Sequence, residues 1–155
     1  KADRERDGHQ GRLMATTATT GSGEILAAVF TALNVSAITS TLSCGVYDDD
    51  ASTQDVAFPF LRIGITAGIP WDTFGKAGKD MDCQVSVFSQ YRGGLEAQNI
   101  SNQVIVLLQD VPLSISGHAL AGFRLETLGN GADELINGVK TIHKWLRFQV
   151  NVVEN

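Results

Sequence analysis

An α+β domain, with a mostly antiparallel β-sheet and two main helices packed on it, is the fold that this 155-residue sequence predicts. Three observations carry that expectation. Val85 to Phe88 is a short run of β-branched and aromatic residues, which suits a strand in a half-buried sheet. Ala97, Ile100, Val104, Leu107 and Leu108 follow at spacings that put them on one helical stripe. Further on, Gly122 to Leu128 and Thr141 to Val153 alternate apolar and polar residues, as strands with one wet face do.

The length allows one domain with a real core, here residues 23–155, and is short for two. Residues 1–22 carry many charges and the Thr-rich run Ala15 to Thr20, too little apolar surface to fold alone. They read as a flexible N-terminal arm, with Met14 a plausible start and residues 1–13 an extension. Such an arm becomes ordered when something holds it, a neighbouring subunit or a lattice. Ser22 is the expected N-cap of a helix over 23–34, with Glu24 in its first turn. Ile25, Leu26, Val29, Phe30 and Leu33 make its apolar face. The Gly-Ser-Gly at 21–23 lacks the Lys and Ser/Thr of a phosphate-binding loop. Residues 35–44, with Ile38 and Leu42, suggest one short helical turn.

Val46-Tyr47 begins a short strand that runs into Asp48-Asp49-Asp50, a solvated acidic loop without the alternation a calcium loop needs. The next strand starts near Phe58-Pro59-Phe60, Pro59 belonging at its beginning or on an edge because it has no N–H. Strands over 58–67 and 81–89 are expected to be antiparallel and joined by a long polar loop, Gly68 to Asp82. Trp71 and Phe74 in that loop either tuck back onto the body or anchor a partner. At Ser89 to Gly94 the period changes from two to 3.6, and Gly93-Gly94 supply the freedom of a sharp strand-to-helix turn. Glu96 then sits at the positive end of the helix. Asp110-Val111-Pro112 stops that helix, and Gly129-Asn130-Gly131 is turn chemistry between the last two strands. Ile142, Lys144, Leu146, Phe148 and Val150 do not share a uniform character, so the last strand is expected to carry a bulge or to be buried on both sides. The predicted order is α–β–β–β–α–β–β.

Chemistry is sparse. His9, His118 and His143 fall in an arm, a turn and a strand, with no spacing that holds a metal. There is no nucleophile elbow, and Cys44 and Cys83 read as two reduced, half-buried thiols of a cytosolic protein. No catalytic residue, cofactor or metal is therefore assigned. Arg92 beside Gly93-Gly94 could bind an anion at a helix N-terminus or pair with a neighbouring acid. No stretch approaches the ~18 apolar residues of a membrane span, and the charged N-terminus lacks the apolar core of a signal peptide. Lys1, Arg4, Arg6 and Arg12 against Asp3, Glu5 and Asp7 leave residues 1–13 at +1 and the remaining chain at −6. That acidic body argues against a surface that grips nucleic acid through phosphates.

Val87-Phe88-Ser89 followed by Tyr91-Arg92-Gly93-Gly94-Leu95-Glu96-Ala97 resembles the core of the tail completion proteins of long-tailed bacteriophages, the tail terminator or head-to-tail joining family. Val46-Tyr47-Asp48, Phe58 to Gly64, Arg124-Leu125-Glu126 and His143 to Phe148 look like further parts of that pattern in the same order, so the resemblance spans about residues 24–152. The departures are the 1–22 arm, and Phe60 and Phe88 where the family more often has Tyr and Trp.

The resemblance implies a structural virion protein and no enzyme. It would form a ring of six that caps the tail tube, stops its polymerisation and joins the tail to a head connector or stopper protein. Its place would be the tail–neck junction of a siphophage-type virion, after assembly in the host cytoplasm. DNA would pass through the lumen without specific binding, which an acidic body suits. The expected partner contacts, to tube or neighbouring subunit, are Trp71, Asp72, Phe74, Lys76, Lys79, Asp80 and Arg92, with the 68–82 loop toward the tube. Two rival readings are a small ligand-binding protein or enzyme using the Arg92 turn as an anion site, and a related tube or connector-adaptor subunit.

Overall fold

A computed structural model describes residues 21–48 and 56–155. Most of the 1–22 arm, and Asp49 and Asp50 of the acidic run, lie outside the described residues. The elements are α1 (Ser22–Leu33), α2 (Ser36–Thr39), β1 (Gly45–Asp48), β2 (Phe60–Thr73), β3 (Lys76–Ser89), α3 (Leu95–Leu108), β4 (His118–Asn130), β5 (Glu134–Ile136) and β6 (Val139–Glu154). One sheet runs β1-β2-β3-β6-β4, with β5 pairing β6. Only β1 joins in parallel, to β2; the other pairings are antiparallel. The α+β architecture with a mostly antiparallel sheet is as the sequence predicts; α2 is the short helical turn expected within 35–44, and β5 is an addition.

Alternation along the strands builds the core. Leu61 and Ile63 of β2, Cys83, Val85 and Val87 of β3, and Leu146, Phe148, Val150 and Val152 of β6 all bury on one face. Ile25, Val29 and Leu33 of α1 and Ala97, Ile100, Val104 and Leu108 of α3 meet them there, each helix contributing one turn-spaced stripe. Phe30, expected on the buried face of α1, lies at its rim and is more than a third exposed. Cys44 and Cys83 are unpaired and buried, and burial pushes both thiols up to about 12, so neither is a ready nucleophile.

Four local expectations are corrected. Gly21, not Ser22, is the N-cap of α1, in the left-handed region at φ 70°, and among the described residues it has no side-chain cap hydrogen bond. The 68–82 connection is not a loop. β2 and β3 continue through it to Thr73 and Lys76, leaving only Phe74-Gly75 as the turn. A shift of register between Ile65 and Ala67 breaks the alternation and hides the strand in the sequence. β6 carries no shift against β3, and Ile142, Leu146, Phe148 and Val150 share its core face. The irregularities fall instead on its neighbour β4, at Leu120/Gly122 and Leu125/Thr127. His118 is not in a turn but begins β4, buried, with Nδ1 2.9 Å from the Ser116 carbonyl.

The face of the sheet opposite the helices has its own order. At one end Phe58, Phe60, Phe88 and His143 form a row of rings, Phe60 on Phe88 at 4.9 Å and Phe88 on His143 at 4.5 Å, both stacked. Phe60 pairs with Phe88 and Phe88 with His143 in the register, so the row crosses three strands. Trp145 lies across its partner Gly129, and Trp71 across its partner Gly78; in both places a Cβ on the glycine would stand under 3 Å from the indole. Each glycine is the bed of an aromatic ring.

Candidate partner-binding surfaces

The residues singled out in the sequence fall at opposite ends of the sheet. Trp71, Asp72, Phe74, Lys76, Lys79 and Asp80 belong to the β2–β3 hairpin. Arg92 follows the far end of β3, which at about 3.4 Å per residue places it about 45 Å from the hairpin turn.

At the hairpin end, the β3–β6 ladder stops at Gly78↔Val153, while β2 and β3 go on pairing to Thr73↔Lys76. The tip is therefore a two-stranded ribbon. Gly75 at φ 99° closes the turn where a residue with a Cβ would be strained. Pro70, which cannot donate to a ladder, is tolerated because β1 pairs only as far as Ile63 and, among the described residues, this stretch of β2 is an edge. Trp71 tucks back over Gly78, while Phe74 is fully exposed. The Trp71 Nε1 is buried without a hydrogen-bond partner among the described residues. Lys79 is mostly buried along its stem and reaches Glu154 at 3.8 Å, so it holds the hairpin to β6. Asp80 is half-buried between Ile69 and Asn151 in the register. Asp72 is exposed, and Ile69 is 70% exposed.

At the other end, the turn from β3 to α3 is built around Ser89, which is buried. Its Oγ donates to Glu96 Oε1 at 2.7 Å and accepts from the Tyr91 N–H at 3.2 Å. Gly93 takes φ 83°, the sharp turn the sequence predicts. Opposite stands the β5–β6 hairpin, closed by Asn137-Gly138 with both residues at positive φ, as a two-residue hairpin turn demands. Gln90 Nε2 ties the two pieces together, donating to the Ile136 carbonyl at 3.3 Å and to Thr141 Oγ1 at 3.2 Å. Between them lies an open cavity of about 760 Å³ lined by Tyr91, Arg92, Gly93, Gly94, Val139, Lys140, Ile142 and Lys144. Lys140 is paired with Asp133 at 3.1 Å and Lys144 donates to Gln98 at 2.5 Å, while exposed Arg92 makes no ion pair or hydrogen bond among the described residues. Tyr91 and Val139 on its wall are exposed, as are Leu95 at the start of α3 and Leu135 in β5.

Sequence reading had named Arg92 but not the second wall of this cavity. The signal was present: Asn137-Gly138 between Leu135-Ile136 and Val139 is the strongest short hairpin cue a sequence offers. Among the described residues, no group of three His, Cys, Asp or Glu is placed to hold a metal, and no helix is long and apolar enough to cross a membrane. His143 is half-buried on the ring row, and burial holds its imidazole below the usual value, ahead of an opposing pull from Glu134 and a smaller push from Arg62.

The fold is that of a solved chain in the virion of a native gene transfer agent particle. The match has a TM-score of 0.75 at 20% identity over 88% of this chain and 99% of that one. A second solved chain matches with a TM-score of 0.52 at 21% identity, over 83% of this chain and 94% of its own. A search among curated proteins found no match. The family described as tail completion protein gp17 matches residues 26–150, which runs from within α1 to within β6. The chain belongs to this family of phage tail structural proteins.

Proposed function

We propose that this protein forms a ring, six subunits in number, that caps the finished tail tube, stops its growth and offers its other side to a head connector or stopper protein. Family membership over residues 26–150 carries this reading. The ring sits at the tail–neck junction of the virion and assembles in the host cytoplasm. Its action is steric: it satisfies the last tube ring and presents no further copy of the tube's interface. The net charge of −6 beyond residue 13 suits a lumen through which DNA slides, because like charge keeps phosphates off the wall. Trp71, Asp72, Phe74, Lys76, Lys79 and Asp80 on the hairpin, and Arg92 at the far end, are the contact residues toward tube or neighbouring subunit. A two-stranded tip that ends in a bare phenylalanine has little to gain from standing in water alone.

The test is absolute mass by light scattering on a sizing column, with negative-stain images of the same peak, alone and with purified tail tubes. Closed rings, or rings at one end of tubes, are the expected result. A species that polymerises into long tubes would make it a tube subunit instead. A monomer that never associates with tubes would overturn the reading.

A further inference from the structure

The two ends of the sheet are complementary to each other. One is convex: Phe74 fully exposed on a two-residue turn, with exposed Asp72 near it without a partner among the described residues, and Ile69 exposed further back along β2. The other is concave: a cavity of about 760 Å³ with Tyr91, Val139 and Ile142 for apolar walls. Its rim carries Arg92 and Lys144, and its floor includes Gly93 and Gly94, where added Cβ atoms would meet nothing within 4 Å. Asp133 is already engaged by Lys140, which leaves the rim positive toward an incoming acid. Some 45 Å of sheet separates knob from cavity, so a molecule cannot fill its own.

We propose that the β2–β3 tip of one copy seats in the Tyr91–Val139 cavity of the next, with Phe74 as the apolar plug and Asp72 facing Arg92 and Lys144. The occupant is a second copy of this chain because both halves of the match, apolar and charged, are on this chain. The contact is heterologous: each subunit gives its tip to one neighbour and its cavity to the other. Repetition of such a contact closes a ring when the rotation allows and makes a filament when it does not. This deepens the ring reading and rests on it only for that closure. It also covers the ribbon beyond the last β3–β6 pair, which by itself is marginal in water.

The experiment is site-directed disulfide formation between full-length chains. Phe74→Cys in one preparation is mixed with Val139→Cys in another, and Val106→Cys on the exposed face of α3 serves as the control partner. Cys44 and Cys83 are buried and do not compete. The expected product is a cross-linked 74–139 dimer well above the 74–106 background, and in the Phe74→Cys/Val139→Cys double variant a ladder that ends at one closed species. Sedimentation velocity should show Phe74→Ala and Arg92→Glu weakening self-association at least roughly tenfold. Asp72→Arg combined with Arg92→Asp should restore it. Cross-linking to Val106 as efficient as to Val139 would overturn the proposal. So would rings that form at full strength in Phe74→Ala while capping of tubes is lost, because the tip would then belong to the tube. Loss of inorganic phosphate binding in Arg92→Glu with assembly intact would make the cavity a small-anion site and overturn it as well. In each of these cases the ring reading stands; if wild type neither self-associates nor caps tubes, both fall together.

Discussion

The β2–β3 hairpin is one continuous pair of strands with two different halves. From Phe60 to Ile65, and across from Cys83 to Phe88, the pair lies beneath α1 and α3 and most of its inward side chains are sealed from water. From Ala67 to Thr73, and across from Lys76 to Asp82, the same ladder continues with Ile69 and Phe74 in solvent. The shift of register between Ile65 and Ala67 marks the change. Identical backbone hydrogen bonding thus serves two purposes. In the first half, apolar area is removed from water within the chain, and stability follows. In the second, the hairpin leaves Ile69 and Phe74 in the open, on the surface we propose for contact with another molecule.

Substitutions in the two halves should separate stability from assembly. The largest effect belongs to the covered part. Phe148, fully buried and packed at 5.3 Å from Phe123, faces the β3 core residues from the adjacent strand. Phe148→Ala should lower unfolding stability by about 3–5 kcal/mol, read as a lower urea midpoint at unchanged slope. A loss under about 1 kcal/mol would mean that the helix-covered half is not the stabilising one. Next comes the bed of Trp71. A Cβ on Gly78 would stand 2.5 Å from the indole, so Gly78→Ala must push the ring off the ribbon. We expect a cost of about 1–3 kcal/mol, with red-shifted Trp71 emission measured in a Trp145→Phe background. Unchanged emission would show that the ribbon does not depend on this ring.

What could be read in advance, and what could not, follows the same line. The strand–turn–helix from Val85 to Leu108 was legible because its two periodicities are strong and Gly93 marks the join; Gly93 does adopt positive φ and Glu96 does sit in the first turn of α3. The far half of the hairpin was not legible. Gly68, Pro70, Gly75 and Gly78 look like loop chemistry, and a bulge at the entry destroys the alternation that would outvote them. Burial could not rescue the reading, because that half is ordered without being buried in the ordinary pattern. Of the candidate contacts, the hairpin residues were found as a group. Arg92 was found without its surroundings, because Lys140 and Val139 come to it from 47 residues on, by a strand pairing that local sequence does not report. The antiparallel order alone does imply that a residue after Ser89 lies at the end opposite the 74–75 turn.

His143 offers a smaller effect with a known sign. It closes the ring row on Phe88 in the covered half, and burial holds its imidazole below the ordinary 6.5 in the folded state. Between the two values the unfolded chain binds more protons than the folded one. The stability His143 contributes is therefore fully present above about pH 6.5 and is lost as pH falls toward the folded value. His143→Phe keeps a ring against Phe88 and removes the proton. The melting temperature of the wild type should fall relative to that variant as pH drops from about 7.5 to about 5. Parallel curves would place His143 in water and detach it from the row.

The smallest effect on stability is the most informative. Phe74 is fully exposed among the described residues, so Phe74→Ala should change unfolding stability by less than about 0.5 kcal/mol, the ordinary range for a surface position. A phenylalanine in that position has no fold-level reason to be there, and the solvation of its ring is unfavourable in the free chain. Its value must then appear elsewhere, as a loss of assembly in a variant whose melting curve overlays the wild type. A fall of more than about 1 kcal/mol would mean that Phe74 leans on its own hairpin in solution, as Trp71 does. The two halves of β2–β3 would then be one folding unit, and the contact surface would have to be sought at the Arg92 end alone.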